Sequence, residues 1–330
     1  MSAETSETSS IGAVWPPVVS SNNRIKGFYD TTVTSQQEVD EFALAFSDYQ
    51  SEVSHSPHLD RLSIRVVASL GAISTLEDRG VSLEAAMPIR GSGDLAVVYT
   101  GWNGPERRAS DDALRLHHLL LGDVVRMPQH DSDGAERLHE QGFTPRVIDH
   151  ATPDRDKRSM VERFANLYSA FGYSVAEVEE LLLNPANTIA YVENEEGVVS
   201  TGMAERATVS VDGFGDLHMA EITEAFTLPA YRKLGLYQAI SGNLLARLLD
   251  PASPRLEVIY GESNLAMPGV VIAAHKNGRR MSYLDREDLR VREPNFGILQ
   301  QSFHIEDGEE MRRYNDFAVS YVPFWTVDHA

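Results

Sequence analysis

Cysteine is absent from the 330 residues of this chain. Disulfide bonds, thiolate nucleophiles, cysteine-bound zinc and iron–sulfur clusters are therefore excluded. Long apolar runs are missing as well, because no stretch approaches the roughly 18 consecutive apolar residues that a membrane span requires. We therefore expect a cytoplasmic protein whose chemistry uses neither an enzyme thiol nor a membrane anchor.

Positive charge is scarce. The chain has 29 Lys and Arg residues against 49 Asp and Glu residues, which gives a formal net charge of -20. Such a charge repels nucleic-acid phosphates and anionic membranes. The expected partner is a small cationic molecule such as an amine, with no nucleic acid and no membrane. The oligomeric state stays open, with a homodimer as one option.

The sequence also lacks a set of metal ligands at the spacing of a known metal site. Five histidines between positions 117 and 150 are spread over a weakly patterned segment and lack the spacing of a zinc site. Residues 131–134 (Asp-Ser-Asp-Gly) begin like a calcium loop, but no Glu follows at the twelfth position. We therefore expect no metal cofactor.

The length corresponds to about two domains. Residues 1–22 are rich in Ser, Thr and Glu and lack the basic and apolar regions of a signal peptide, so they predict a flexible tail. We divide the rest near position 150. Residues 23–150 form a predicted N-terminal α/β domain with a connecting segment, and residues 151–330 form a C-terminal domain.

Hydrophobic periodicity predicts alternating strands and helices in both halves. In the first half, helices are predicted at 35–50, 69–79, 111–121 and 133–141, and strands at 61–68, 83–89 and 95–102. In the second half, a helical region ends at residue 183, a meander of strands covers 188–193, 198–211 and 217–226, and a helix begins near residue 236. A strand at 256–261, a helix at 262–278 and a last strand at 317–322 follow.

Residues 220–249 (AEITEAFTLPAYRKLGLYQAISGNLLARLL) combine a strand, a basic glycine-containing loop and a helix. A helix that begins near Leu236 directs unpaired backbone N–H groups and a partial positive charge outward. Gly235 allows close approach to the main chain, and Arg232 and Lys233 add full charges. On so acidic a protein, this segment predicts a site for an anion such as a diphosphate.

The loop residues Tyr-Arg-Lys-Leu-Gly-Leu at 231–236 resemble the Arg/Gln-x-x-Gly-x-Gly/Ala loop of the GNAT superfamily of N-acyltransferases. More narrowly, residues 220–235 are similar to the corresponding stretch of the β-lysine Nε-acetyltransferases, and weaker likeness extends over about 23–325. The resemblance implies an α/β (α+β) GNAT fold with a mixed, mostly antiparallel sheet that splays where 217–226 meets 256–261. It also implies acetyl-CoA as cosubstrate, no metal, and direct acetyl transfer to a primary amine, with a β-lysine-like substrate.

The same resemblance implies a set of site residues. Glu221 and Glu224 are the candidate catalytic bases, although residues three apart in a strand face opposite sides unless a bulge intervenes. Main-chain N–H groups near Phe226–Leu228 would polarise the thioester carbonyl. The candidate cofactor-binding residues are Phe226, Thr227, Leu228, Arg232, Lys233, Leu234, Gly235, Leu236, Tyr237 and Asn264.

Two positions depart from the superfamily pattern. Tyr237 stands where the loop usually has a small residue, so its side chain must point away from the phosphates or narrow the site. The helix that ends at Gly278 lacks the usual Tyr before that glycine, which leaves Ser263, Asn264 and His275 as candidate cofactor contacts or proton donors.

Two alternative functions remain open at this level. The chain could acylate another amine, such as an amino sugar or a natural product, or it could be a catalytically inactive CoA-binding scaffold.

The order of predicted elements in 61–102 also repeats in 256–324. The N-terminal half is therefore a candidate degenerate copy of the GNAT half that lacks the pyrophosphate loop.

Overall fold

The computed structural model describes residues 18–20, 24–56, 59, 61–104, 111–129, 138–169, 172–265, 267–282, 286, 289–293, 296–303 and 313–324. The strands are β1 (Val18–Ser20), β2 (Arg24–Phe28), β3 (Arg61–Ser69), β4 (Leu83–Pro88), β5 (Leu95–Asn103), β6 (Thr144–Ile148), β7 (Asn187–Asn194), β8 (Gly197–Val211), β9 (Gly215–Thr227), β10 (Val258–Asn264), β11 (Arg280–Met281), β12 (Ile298–Phe303) and β13 (Arg313–Tyr321). The α-helices are α1 (Gln36–His55), α2 (Leu70–Asp78), α3 (Asp111–Val125), α4 (Asp154–Tyr168), α5 (Val175–Leu183), α6 (Leu236–Leu248) and α7 (Pro268–Lys276).

The chain forms two compact units. The first comprises Met1–Ser110, Val209–Leu217 and Tyr283–Asp316, and the second comprises Asp111–Thr208, His218–Ser282 and Phe317–Ala330. These bounds differ from the sequence-based division near position 150, because residues 111–150 group with the second unit and 283–316 with the first. Within the predicted flexible tail, Val18–Ser20 pairs with β2 as strand β1.

The first unit contains a five-stranded sheet in the order β1-β2-β3-β5-β4. Strands β2 and β3 are parallel, and the helix between them, α1, begins with a capping box formed by Ser35 and Glu38. Apolar residues of α1 pack on the sheet, among them Phe42 and Phe46. A buried ion pair between Arg61 of β3 and Glu84 of β4 spans the strand between them, β5.

The second unit is built on the sheet β11-β13-β10-β9-β8-β7-β6. The β9–β10 pair is parallel, whereas the β6–β7, β7–β8 and β10–β13 pairs are antiparallel. Helix α6 packs Ile240, Leu244 and Leu248 against the strands on one side. The predicted α/β class with a mixed, mostly antiparallel sheet is therefore confirmed.

Two details of the predicted elements are wrong. The segment taken as a connection contains β6, whose weakly alternating residues are placed by pairing with β7. The helix predicted from residue 262 begins only at Pro268, because Glu262, Ser263 and Asn264 continue β10 and pair with β13. Pro268 suits a first helical position, where its missing N–H costs nothing.

The strand orders of the two units correspond. In the first unit β2, α1, β3, α2, β4 and β5 give the order β2-β3-β5-β4, and in the second β9, α6, β10, α7, β11 and β13 give β9-β10-β13-β11. Each series begins with a parallel pair connected through a helix. This agreement supports the prediction that the first half is a degenerate copy of the second.

Several sequence features lie outside the described residues: positions 1–17, His130, the calcium-like segment 131–134, and the first part, 133–137, of the helix predicted at 133–141. Across the described ranges, no helix is both long and apolar enough to cross a membrane. The same ranges contain no group of three or more His, Asp or Glu side chains arranged to hold a metal ion.

Candidate active site

The parallel strands β9 and β10 separate partway along their length. Their paired positions end at Glu221 and Tyr260. Beyond them, β9 continues to Thr227 beside β8, while Gly261–Asn264 of β10 pairs with β13. An opening bordered by main chain therefore forms at the splay that the sequence predicts.

The loop after β9 leads to the N-terminus of α6. Gly235 is the N-cap residue, with a left-handed φ of 83°, and no side chain caps the helix. A Cβ at this position would meet no atom within 4 Å, so the space before the helix is open. The N–H groups of the first helical turn are thus available to an anion.

Three exposed side chains surround this helix start: Arg232, Lys233 and Leu234. Arg232 Nε donates to the carbonyl oxygen of Thr227, which folds the loop back on the end of β9. Lys233 also has a left-handed φ, of 67°. The loop is held by Tyr231, whose hydroxyl donates to Glu196 and whose ring lies edge-on against Phe143.

At the end of β9, the side chains of Phe226 and Leu228 pack in apolar clusters, so these residues can offer only main-chain groups. The Leu228 N–H donates to the Val199 carbonyl and is engaged. The Thr227 hydroxyl bonds to that of Ser200 at 2.7 Å. Because neighbouring strand residues direct their N–H groups to opposite edges, the Thr227 N–H faces the opening and is the candidate carbonyl-polarising donor.

Glu224, one of the two candidate bases, has the left-handed backbone of a β-bulge within β9. Glu224 has a φ of 49°, an unusual value for a residue other than glycine. The bulge supplies the condition under which Glu221 and Glu224 can line one site. Glu221 accepts a hydrogen bond from the Tyr260 hydroxyl at 2.6 Å, and Glu224 accepts one from the Tyr173 hydroxyl at 3.1 Å.

The pKa of Glu224 is raised above the ordinary glutamate value. Burial is the main cause, and the nearby charge of Glu221 adds to it, while the hydrogen bond from Tyr173 acts in the opposite direction. A carboxylate with a raised pKa accepts a proton from an ammonium group more readily than an exposed one. The pair thus combines two negative charges with the capacity to take up a proton.

Tyrosines enclose these carboxylates, and sequence reasoning did not assign them to the site. Tyr173 follows the left-handed Gly172 between α4 and α5, and its ring lies edge-on against Tyr168. Burial and the charge of Glu224 raise the pKa of Tyr173, so its hydroxyl stays a donor. Only the β9–β10 register, which the sequence does not encode locally, places Tyr260 opposite Glu221.

The remaining predicted contacts fall on or beside β10 and α7. Asn264 lies at the end of β10, beside the opening, and Ser263 is buried one position earlier. His275 is buried, and its Nε2 hydrogen-bonds to the carbonyl oxygen of Met127 at 2.9 Å. That bond connects His275 of α7 to the segment that follows α3, so the side chain has a structural partner.

Tyr237 points away from the helix start. Its ring lies against Gly202 of β8, where a Cβ would come within 3.3 Å of the ring, and its hydroxyl bonds to Arg279. Leu236 is buried in the apolar cluster under α6. The bulky side chain at position 237 therefore leaves the loop open, as one of the two predicted arrangements requires.

A separate cavity of about 470 Å³ lies beside β6 and α4, lined by residues that include Arg146, Asp156, Met160 and Tyr191. None of the predicted site residues lines it. The candidate site is instead the open cleft between β9 and β10, which is bordered by the loop, the bulge and the tyrosines.

No protein-family model matches the sequence, and the comparison with curated proteins finds no match. Among solved structures, the chain is similar to Arabidopsis thaliana NAA60 in complex with acetyl-CoA, with 12% identity and a TM-score of 0.39 over 54% of this chain and 97% of that one. It is similar to a variant of the Vibrio cholerae spermidine N-acetyltransferase SpeG, with 15% identity and a TM-score of 0.34 over 55% and 94%. An aminoglycoside acetyltransferase from an uncultured soil metagenomic sample, in complex with sisomicin, gives 8% identity and a TM-score of 0.33 over 42% and 88%.

Proposed function

We propose that the chain is a GNAT-type N-acetyltransferase that transfers an acetyl group directly from acetyl-CoA to a primary amine of a small cationic substrate. One observation carries this proposal: the separation of β9 and β10 next to the uncapped N-terminus of α6. The helix start would hold the diphosphate, and the opening would admit the pantetheine arm. The loop residues Arg232 and Lys233 would add charge to the diphosphate site.

The other side of the opening suits an amine. Glu221 and Glu224 lie near each other beside Tyr173 and Tyr260. Two carboxylates among phenol groups attract an ammonium group and hold its hydrogen-bond donors. The overall acidic charge of the chain acts in the same direction.

The proposed reaction needs no covalent enzyme intermediate. The ammonium group loses a proton to Glu224, with Glu221 beside it, and the free amine attacks the thioester carbon. The Thr227 N–H polarises the carbonyl oxygen as negative charge develops there. Holding both reactants in one opening contributes further, because attack becomes effectively intramolecular.

Within this class we propose a diamine substrate like β-lysine. Support for the finer proposal is the sequence resemblance over residues 220–235, together with the acidic charge of the chain, which favours a substrate with two ammonium groups. An aminoglycoside or another natural-product amine is the alternative substrate within the same class.

An amine panel tests these proposals. Purified protein is incubated with acetyl-CoA and β-lysine, lysine, spermidine or an aminoglycoside, and released CoA is measured with a thiol reagent. The absence of cysteine from the chain removes any background from the protein itself. Turnover with lysine-like diamines at a kcat/KM at least about tenfold above the other amines is the expected result.

The contrary outcomes are distinct. Faster turnover with an aminoglycoside or another amine would replace the β-lysine-like substrate and retain the enzyme class. Tight CoA binding by calorimetry without turnover on any amine would favour a CoA-binding scaffold. No CoA binding at all would refute the proposed function.

A further inference from the structure

A buried arginine lies at the point where β9 and β10 separate. Arg279 follows Gly278 at the end of α7 and is only 1% exposed. A Cβ added to Gly261, the first residue of β10 beyond the paired region, would overlap Arg279 Nη1 and come within 2.8 Å of the Ile222 carbonyl oxygen. The guanidinium is therefore buried against the main chain of Gly261, next to the last paired positions of β9 and β10.

Most donors of this guanidinium have no acceptor. Nε and Nη1 are buried and make no hydrogen bond. Tyr237 supplies the side-chain hydrogen bond that Arg279 makes within the described part of the chain. A buried charge with unsatisfied donors is costly, and native proteins keep such a group where something else completes it.

The charged groups around Arg279 do not neutralise it. Across the described residues, no carboxylate forms an ion pair with its guanidinium. Glu221 bonds to Tyr260 and Glu224 to Tyr173, on the face of the sheet opposite α6. On α6 the titratable neighbour is Tyr237, and on α7 the His275 ring bonds to Met127.

We propose that Arg279 binds the sulfur of CoA and stabilises it as the thiolate that leaves when the acetyl group is transferred. This inference rests on the proposed function, because it assumes that the acyl donor enters the opening. It assigns to Arg279 the task that a tyrosine at the end of α7 would otherwise perform. Tyr237 is a positioning residue, since its hydroxyl holds the guanidinium.

The chemical step is balanced as follows. The C–N bond forms, the C–S bond breaks, and the electron pair of that bond stays on sulfur. The two protons that nitrogen loses pass to the carboxylates and on to solvent, while the thiolate takes a proton after release. Arginine suits this role because it keeps its charge throughout and donates several N–H groups.

The test measures the thiol of bound CoA directly. CoA is added to saturation, and thiolate absorbance in the ultraviolet is followed against pH, with the desulfo-CoA complex subtracted to remove tyrosine ionisation. Because the chain has no cysteine, the CoA thiol is the only thiol present. An adjacent positive charge should lower its pKa by at least about one pH unit relative to free CoA.

Three variants complete the experiment. In Arg279→Gln the thiol pKa of bound CoA should return to the free value, while the affinity for desulfo-CoA, which has no sulfur to pair, stays nearly unchanged. Arg279→Lys keeps the charge and should retain part of the shift, and it provides the reading if the glutamine variant fails to fold. Tyr237→Phe removes the hydroxyl that holds the guanidinium, so it should retain a smaller part of the shift in thiol pKa.

The outcomes separate this inference from the proposed function. A thiol pKa equal to that of free CoA in the unaltered protein, or one that Arg279→Gln does not change, would overturn the role of Arg279 even if acetyl transfer is observed. Preference for succinyl-CoA over acetyl-CoA without a thiol shift would overturn it as well, because Arg279 would then bind a carboxylate of the acyl group. Failure of the protein to bind CoA would overturn the proposed function first.

Discussion

Glu224→Gln is expected to lower kcat/KM for acetyl transfer by about 10²-fold or more, within the range of roughly 10²–10⁴ that general acid–base catalysis contributes. Glutamine keeps the size of the side chain and can still accept from Tyr173, but it cannot take a proton. The measurement is the rate of CoA release with saturating acetyl-CoA and varied amine. Glu221→Gln should cost about tenfold, because Glu221 acts on the same amine.

The pH profile identifies the base more precisely. The base must be ionised, so activity should fall on the acid side at a pH above the ordinary glutamate range, because burial raises the pKa of Glu224. Glu221→Gln removes a neighbouring negative charge and should move this acid limb to lower pH. Tyr173→Phe removes a hydrogen bond to the carboxylate and should move it to higher pH.

A matched control for these variants is Glu193→Gln on β7 of the same sheet. Glu193 is paired with Arg146 and Arg163, away from the opening, and its replacement should leave the rate and the profile unchanged. If the acid limb of the pH profile moves in the same direction in the Glu221 and Tyr173 variants, Glu224 is not the titrating base.

The second large effect is expected from Gly235→Ala, which should weaken CoA binding at least about tenfold, or 1.4 kcal/mol. Position 235 has a left-handed φ of 83°, and a Cβ there would occupy the open space before α6 through which the diphosphate approaches. An L-residue pays roughly 1–2 kcal/mol for this conformation, so the start of the helix should shift as well. Calorimetric titration with CoA gives the affinity.

Gly80 provides a matched control, because it has the same φ of 83° and also has no atom within 4 Å of an added Cβ. Because the backbone strain is the same, Gly80→Ala and Gly235→Ala should lower the free energy of unfolding by similar amounts, roughly 1–2 kcal/mol. Gly80→Ala should leave CoA affinity unchanged. Equal loss of affinity in the two variants would mean that the effect is general destabilisation.

Much of the fold was accessible from the sequence because it depends on local patterns. The spacing of apolar residues predicted α1, α2 and the meander of β7, β8 and β9, and Gly235 marked the start of α6. The end of β10 was not accessible, because Asn264 is extended only through its pairing with Phe317, more than fifty residues away. Such pairing is a tertiary effect that overrides local preference.

The candidate site, too, could be predicted from the sequence only in part. The loop at Arg232 and Gly235 could be read from consecutive residues, because anion binding at a helix start needs only adjacent main-chain groups. The partners of the carboxylates could not, since Tyr173 and Tyr260 approach them from other elements. Arg279 gave no signal either, because nothing in a sequence shows that an arginine is buried without an acceptor.

The bulge at Glu224 also bears on how the chain avoids association with other chains. Where β9 leaves β10, the side of β9 that was paired with β10 becomes an edge of the sheet. An extended, unpaired edge is a template on which a second chain can add a strand. A left-handed residue interrupts the regular row of N–H and C=O groups, and a carboxylate at that point discourages an apolar neighbour. The left-handed backbone at Glu224 thus also protects the open edge from aggregation.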